Sequence, residues 1–226
     1  MRKRHIGGMK IIRQIDPAWA AGLPEQPQWQ SHGEETLIEN PWLRVTRHSA
    51  TAPTGQDADY WVVRPKNVGT GVLPLHEDGT VTLVGQHRFA LMRYSWEMPE
   101  GGAPMDEDPF EAIQRELREE AGLKAEHWAQ VLDMDLSNSV TDERAICWLA
   151  WGFSELEREP DPTEVFAEAR VPFMDLLAEI ERGAVRDSLT VATAYRAYHL
   201  ARLSLDQGGV EDSVLPRELA QAMLGR

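Results

Sequence analysis

The chain has 226 residues, which is enough for one large domain or for one domain with a smaller N-terminal element. Its formal charge of −14, from 23 Lys and Arg against 37 Asp and Glu, argues against a surface that binds nucleic acid or membranes nonspecifically. An anionic small molecule would need metal ions or a few placed arginines to offset this repulsion.

No apolar run in the sequence approaches the ~20 residues of a membrane-spanning helix. The basic N-terminus, MRKRHIGGMK, is not followed by the apolar segment of a secretory signal. The single cysteine, Cys147, lies in the apolar stretch AICWLAWGF and cannot form a disulfide within the chain. These features predict a cytoplasmic protein with a buried thiol and no membrane partner.

The first part of the chain is predicted to be an extended arm followed by strands. Residues 1–34 contain several prolines and little periodicity, which is typical of an arm. A strand pair is predicted around Asn40-Pro41, and another strand in residues 59–65. Residues 70–90 are typical of a hairpin, because Asp78-Gly79 stands between two apolar runs at a two-residue turn.

Residues 108–121 then change to helical periodicity. Asp108 suits the N-cap, Pro109 suits the first helical position, and Gly122 stands where a left-handed residue would end the helix. The apolar stripe of this helix consists of Phe110, Ile113, Leu117 and Ala121.

The remaining segments alternate between strands and helices. Residues 129–153 are predicted to form two strands around a polar loop, and residues 161–173 a loop that enters a strand. Residues 172–183 and 187–205 are predicted to be helical, and a short helix is predicted from Pro216. This order of elements predicts an α+β fold with a mixed sheet covered by helices.

Three glutamates are clustered in the predicted helix. Glu116, Glu119 and Glu120 share one face because positions i, i+3 and i+4 are neighbours, and this face flanks the apolar stripe. Like charges at this spacing repel one another, so a bound cation would stabilise them, and a hard divalent ion such as Mg²⁺ takes oxygen ligands. From the residues alone, a solvated charged face and a metal site both remain open.

The wider spacing around these glutamates points to a known family. Residues 101–123, GGAPMDEDPFEAIQRELREEAGL, resemble the Nudix box G-x5-E-x7-R-E-U-x-E-E-x-G-U, in which U is a bulky aliphatic residue. Every defined position of the box matches: Gly101, Glu107, Arg115, Glu116, Leu117, Glu119, Glu120, Gly122 and Leu123.

The resemblance implies both a fold and a reaction. Nudix proteins fold as an α/β/α sandwich, and Nudix enzymes hydrolyse a nucleoside diphosphate linked to another moiety by attack of water on phosphorus. The domain organisation expected here is an N-terminal β-rich arm over residues 1–70 that forms a homodimer, a Nudix domain over residues 71–207, and a tail over residues 208–226.

The resemblance also implies roles for individual residues. Arg115 would orient the box glutamates and pair with Glu107, and both are predicted to be catalytic. The cofactor is predicted to be Mg²⁺, with Mn²⁺ as an alternative. The predicted metal ligands are Glu116, Glu119, Glu120 and the backbone carbonyl of Glu100.

Segments outside the box resemble one branch of the family. GVLPLHEDGTVTLVGQHR, YSWEMPEGG and SNSVTDERAICWLA are similar to segments of the ADP-ribose and nucleoside-diphosphate-sugar pyrophosphatases. One departure is Asn138, which stands where ADP-ribose enzymes usually have proline. The predicted substrate-binding residues are Arg88, Glu97, Gly101, Gly102 and Glu143.

The branch often takes its catalytic base from a glutamate on a late loop. Glu164 is the predicted base, because it lies in a proline-flanked, loop-like segment, and Glu168 and Glu143 are the alternatives. The predicted function is metal-dependent hydrolysis of ADP-ribose or a related nucleoside diphosphate sugar to a nucleoside monophosphate and a sugar phosphate. The alternatives are a Nudix hydrolase of dinucleoside polyphosphates or nucleoside triphosphates, and a non-catalytic domain that senses a nucleotide.

Overall fold

The computed structural model describes residues 17–25, 27–158, 165–206 and 214–226. The strands are β1 Gln30–Glu39, β2 Leu43–Thr51, β3 Asp57–Pro65, β4 Asn67–Pro74, β5 Thr80–Arg88, β6 Arg93–Glu97, β7 Glu100–Pro104, β8 Leu123–Asp135, β9 Arg144–Glu155 and β10 Ala167–Pro172. The helices are α1 Pro109–Ala121, α2 Phe173–Glu181, α3 Ser188–Asp206 and α4 Arg217–Met223. Within these ranges, no helix is long and apolar enough to span a membrane.

The chain divides into two compact units. One contains the described residues up to Glu34 together with His48–Tyr60, and the other contains Glu35–Arg47 and Trp61–Arg226. Strands β1, β2 and β3 form a sheet in that order, which we call the N-terminal ribbon. Every residue of β1 is exposed, and β1 is an edge strand of the ribbon.

The larger unit contains two further sheets. One has the order β10-β5-β6 and is antiparallel throughout. The other has the order β7-β4-β9-β8, in which β4 and β9 are parallel and the outer pairs are antiparallel. The mixed sheet predicted from the element order is therefore present.

Helices cover both faces of the mixed sheet. Neighbouring residues of β4 point to opposite faces: Val72 belongs to the core cluster beneath α1, which contains Ile113, and Leu73 belongs to the cluster that contains Leu176 of α2 and Ala197 of α3. The period of two in the strand therefore places a helix layer on each side, as the predicted sandwich requires.

The predicted hairpin over residues 70–90 is wrong in its strand pairing. β4 and β5 belong to different sheets, and near the Asp78-Gly79 turn they are joined by the isolated bridge between Leu75 and Val81. The reason is that β4 pairs with β7 on one edge and with β9 on the other, so that no free edge remains for β5.

Helix α1 has the ends that its sequence predicts. The Asp108 carboxylate accepts a hydrogen bond of 2.9 Å from the Phe110 amide, and Pro109 occupies the first turn. Gly122 has φ 62°, the left-handed conformation that a glycine adopts without strain, and its N–H closes the last turn. The strands β8 and β9 around a polar loop, and the helices α2 and α3, also form as predicted.

Candidate active site

A cavity of about 500 Å³ opens between the loop before the box glycine and the helix that follows it. It brings together most of the residues that the sequence predicts for the site, although they come from four separate segments. The predicted residues that line it are Arg88, Glu100, Gly101, Gly102, Arg115, Glu116, Glu119, Glu120 and Glu143.

Two box glutamates pack directly against the loop before α1. Glu120 is only 4% exposed, and its Oε2 accepts a hydrogen bond of 2.9 Å from the backbone N–H of Glu100. A Cβ atom on Gly101 would lie 2.2 Å from the carboxyl carbon of Glu116, so only glycine allows this approach. Gly101, the first residue of the box, therefore makes room for the carboxylate of the box residue Glu116.

Arg115 connects the glutamates of the box. Its Nη1 donates hydrogen bonds to Glu116 Oε1 at 2.8 Å and to Glu119 Oε2 at 3.0 Å. Its Nη2 lies 3.7 Å from Glu107 Oε2, so this ion pair is longer than the contacts with Glu116 and Glu119. Glu107 does not line the site cavity and borders a second cavity of about 540 Å³ instead.

The Glu100 side chain lies in an acidic and buried environment. Burial raises its pKa well above the ordinary value, and the charge and hydrogen bond of Asp187 raise it further. The Thr190 hydroxyl lies 3.2 Å from Glu100 Oε1. These surroundings favour the neutral form of the carboxyl group.

Arg88 is anchored by Glu97 and exposed to the cavity. Its Nε lies 2.9 Å from Glu97 Oε2, and its Nη2 lies 2.5 Å from the same oxygen. Glu97 is 2% exposed and does not line the cavity, so its place is behind Arg88. This arrangement fixes the guanidinium group at the wall of the cavity.

The three candidates for the catalytic base have different positions. Glu143, on the loop between β8 and β9, lines the cavity. Glu168 lies on β10, where it forms an ion pair with Arg158, and it does not line the cavity. Glu164 lies outside the described residues.

The first turn of α3 also contributes to the site, although none of its residues was predicted to do so. Leu189 lines the cavity, and Thr190 is fully buried beside Glu100. Asp187 accepts a hydrogen bond of 2.8 Å from the Thr190 amide, as an N-cap residue does. A capping pattern could have identified Asp187 as the start of a helix, but no local signal connects it with Glu100.

The oxygen atoms that this site offers are of the type that binds a hard divalent cation. Glu116, Glu119 and Glu120 offer carboxylate oxygens around one cavity, the type of ligand that Mg²⁺ prefers. Across the part of the chain that the structure describes, no three acidic, histidine or cysteine side chains are close enough together to form a finished metal site. Arg115 instead bridges Glu116 and Glu119 and supplies positive charge there.

Comparison with known proteins identifies the family. The model of the NUDIX domain matches residues 65–192, more than half of the chain. The chain therefore belongs to the Nudix family. The family, the α+β fold class and the assignment to the Nudix hydrolases, which the sequence predicts, are confirmed.

Several relatives resemble the chain over most of its length. It is 30% identical to an ADP-ribose pyrophosphatase of Mycobacterium tuberculosis, over 73% of this chain and 80% of that one. It is 30% identical to an ADP-ribose pyrophosphatase of Bacillus subtilis, over 66% of this chain and 79% of that one. The crystal structure of an ADP compounds hydrolase has the same fold, with a TM-score of 0.70, 19% identity, and coverage of 83% of this chain and 100% of that one.

Proposed function

We propose that the protein hydrolyses the pyrophosphate bond of ADP-ribose or a related nucleoside diphosphate sugar, and releases a nucleoside monophosphate and a sugar phosphate. The observation that carries this proposal is the convergence of Glu116, Glu119 and Glu120 with Arg115 around one cavity. The ADP-ribose pyrophosphatases among its relatives support the choice of substrate class.

The proposed cofactor is Mg²⁺, with Mn²⁺ as a substitute. Glu116, Glu119 and Glu120, with the backbone carbonyl of Glu100, would hold it. When bound, such ions would neutralise the pyrophosphate and activate a water molecule for attack on phosphorus.

The residues of the chain supply orientation and positive charge. Arg115 holds Glu116 and Glu119 in place through its two hydrogen bonds, and it would yield part of that role when a metal binds. Arg88, fixed from behind by Glu97, presents its guanidinium to the cavity and suits a phosphate oxygen of the substrate. In a chain of formal charge −14, these arginines and the metal ions meet the condition for binding a polyanion.

The general base is proposed to be Glu164, with Glu143 as the alternative that lines the cavity. Because the base accepts a proton from the attacking water, its loss should lower turnover and leave substrate binding nearly unchanged. Measuring kcat and KM for Glu164→Gln and Glu143→Gln would distinguish the two.

A hydrolysis panel tests the proposed function. ADP-ribose, GDP-mannose, other nucleoside diphosphate sugars, dinucleoside polyphosphates and nucleoside triphosphates would be incubated with the protein and Mg²⁺. We expect the highest kcat/KM with ADP-ribose or another nucleoside diphosphate sugar. Reaction in ¹⁸O-labelled water, followed by mass spectrometry of both products, would show which phosphorus is attacked.

Glu116→Gln is the matched variant for this panel, since the amide keeps the shape of the side chain and removes its charge. It should bind substrate and fail to turn it over. The proposal is wrong if the wild-type protein hydrolyses no nucleoside diphosphate sugar, or if Glu116→Gln hydrolyses one at the wild-type rate.

We also propose that the protein is a cytoplasmic homodimer formed through residues 1–70, with the catalytic domain in residues 71–207 and a C-terminal tail in residues 208–226. The exposed apolar side chains of the N-terminal ribbon and its first turn, such as Ile38 (58%) and Trp42 (73%), support a dimer. The buried free thiol of Cys147 suits a reducing compartment. Light scattering at micromolar concentration should give twice the mass of the chain.

A further inference from the structure

The first turn of α3 is bonded to the short segment that precedes the box glycine. Thr190 is 0% exposed. Its Oγ1 accepts a hydrogen bond of 3.0 Å from the Met98 amide and donates one of 3.2 Å to Glu100 Oε1. One hydroxyl group therefore holds both ends of segment 98–100.

The Thr190 backbone is itself held in place at the start of its helix. Asp187 Oδ2 accepts a hydrogen bond of 2.8 Å from the Thr190 amide, and the Asp187 carboxylate is also hydrogen-bonded to the Glu100 side chain. Three residues thus form one small buried network that joins the start of α3 to Glu100, 90 positions before Thr190 in the chain.

This network acts on the part of the loop that the box glutamates use. The backbone N–H of Glu100 donates to Glu120 Oε2 at 2.9 Å, and the carboxylate of Glu116 packs on Gly101, the next residue. A shift of segment 98–100 would therefore move the supports of Glu116 and Glu120 together. Outer groups that fix metal-binding side chains in this way are commonly worth about 10-fold to 100-fold in metal affinity or activity.

We propose that Thr190, whose backbone N–H is capped by Asp187, is a positioning residue that fixes segment 98–100 and thereby sets the placement of the Glu116 and Glu120 carboxylates for a divalent cation. Its effect on turnover rests on the proposed function, whereas its effect on metal binding does not. Thr190 is fully buried and does not line the cavity, so it would act through segment 98–100.

Thr193 provides a matched control on the same helix. It is also a threonine with 0% exposure, and it lies beside the thiol of Cys147. Among the described residues its hydroxyl makes no hydrogen bond to segment 98–100. Replacing either threonine with valine removes one buried hydroxyl and keeps the shape of the side chain.

The experiment compares wild-type protein with Thr190→Val, Thr190→Ser and Thr193→Val. Mn²⁺ binding would be followed by electron paramagnetic resonance of the free ion, without substrate, and kcat and KM would be measured separately. We expect Thr190→Val to bind Mn²⁺ about 10-fold more weakly and to lose about 10-fold in kcat. Thr190→Ser should restore both values, and Thr193→Val should match the wild type.

The proposal is overturned if Thr190→Val and Thr193→Val bind Mn²⁺ equally well, or if the wild type does not bind Mn²⁺ at all. If Thr190→Val does not fold, as judged by its thermal transition, Thr190→Ala provides the same test with a smaller side chain. A wild type that binds Mn²⁺ but hydrolyses no substrate would contradict the proposed function alone, because the Mn²⁺ comparison would still decide the role of Thr190.

Discussion

The box region and the N-terminal ribbon depart from the usual distribution of side chains in opposite ways. In the box region a charged group is buried, since Glu120 is 4% exposed. In the ribbon and its first turn large apolar groups are exposed, with Ile38 of β1 at 58% and Trp42, between β1 and β2, at 73%. Buried charges and clustered exposed apolar side chains are both uncommon in folded proteins, and each usually indicates a partner.

The two regions therefore call for partners of different chemistry. The partner proposed for the box region is a cation, because neighbouring carboxylates repel one another and Arg115 already bridges two of them. The ribbon needs an apolar surface, and neighbouring Leu37 and Ile38 point to opposite faces of β1, so both faces of this edge strand carry exposed apolar groups. In the proposed function, catalysis and assembly therefore belong to separate parts of the chain.

The largest effect is expected from Glu120→Gln. Residues that support metal ligands contribute up to about 100-fold in metal affinity or activity. Glu120 is proposed to be a ligand itself, so the loss of its charge should lower kcat by more than about 100-fold. The fold should remain intact, because a neutral amide is easier to bury than a carboxylate. Mg²⁺ should raise the thermal transition of the wild type and leave that of Glu120→Gln nearly unchanged.

Glu111→Gln is the control for this prediction, since Glu111 lies in the first turn of the same helix and is exposed. It should retain wild-type turnover and the wild-type response to Mg²⁺. If Glu120→Gln kept wild-type turnover and the wild-type response to Mg²⁺, the buried carboxylate would not be part of a metal site. The burial of Glu120 would then not indicate a bound cation.

A smaller effect is expected from Ile38→Glu in the ribbon. Placing a charge in an apolar interface without a partner should weaken the dimer at least about 10-fold, because the charge must be desolvated. Light scattering across a dilution series should show the change as a shift towards the monomer. Gln130→Glu, which adds the same charge to an exposed position of β8, should leave the mass unchanged. A wild type that is monomeric throughout the series would contradict the assignment of the ribbon to assembly.

Local patterns predicted the elements whose causes are local. The N-cap of Asp108 and the left-handed Gly122 determine both ends of α1, and each signal lies within a few residues of the end that it predicts. The spacing of the box likewise predicted the group around Arg115, because loop and helix are continuous in the chain.

The failures have non-local causes. The hairpin of residues 70–90 had the right turn and the wrong pairing, since the edges of β4 are taken by β7 and β9 from later parts of the chain. Thr190 could not be predicted for a similar reason, because its bond to Glu100 joins positions that are 90 residues apart. The sequence thus predicted the residues that line the cavity better than the residues that support them.

The smallest expected effect is a change in thermal stability caused by His76. Unlike Glu120 and the apolar groups of the ribbon, His76 is a half-buried side chain whose burial disfavours its charged form. Burial and the nearby charge of Arg170 lower its pKa below the ordinary 6.5, although Asp78 acts in the opposite direction. The neutral ring lies 2.8 Å from Thr82 Oγ1 and packs 4.9 Å from the ring of Phe153.

Because the folded state resists protonation of His76, its contribution to stability is complete above pH 6.5 and is lost as the pH falls through its folded pKa. The wild type should therefore lose more of its thermal stability between pH 7.5 and pH 5.5 than His76→Gln, whose amide can still bond to Thr82. Solvent access to the half-buried ring weakens the effect, so the two decreases in Tm should differ by no more than about 2 °C. Calorimetry of both proteins at the two pH values measures this difference, in which the other titrating groups cancel. Equal decreases would mean that His76 has the same proton affinity in the folded and unfolded chains, and that burial in this part of the molecule does not select the neutral ring.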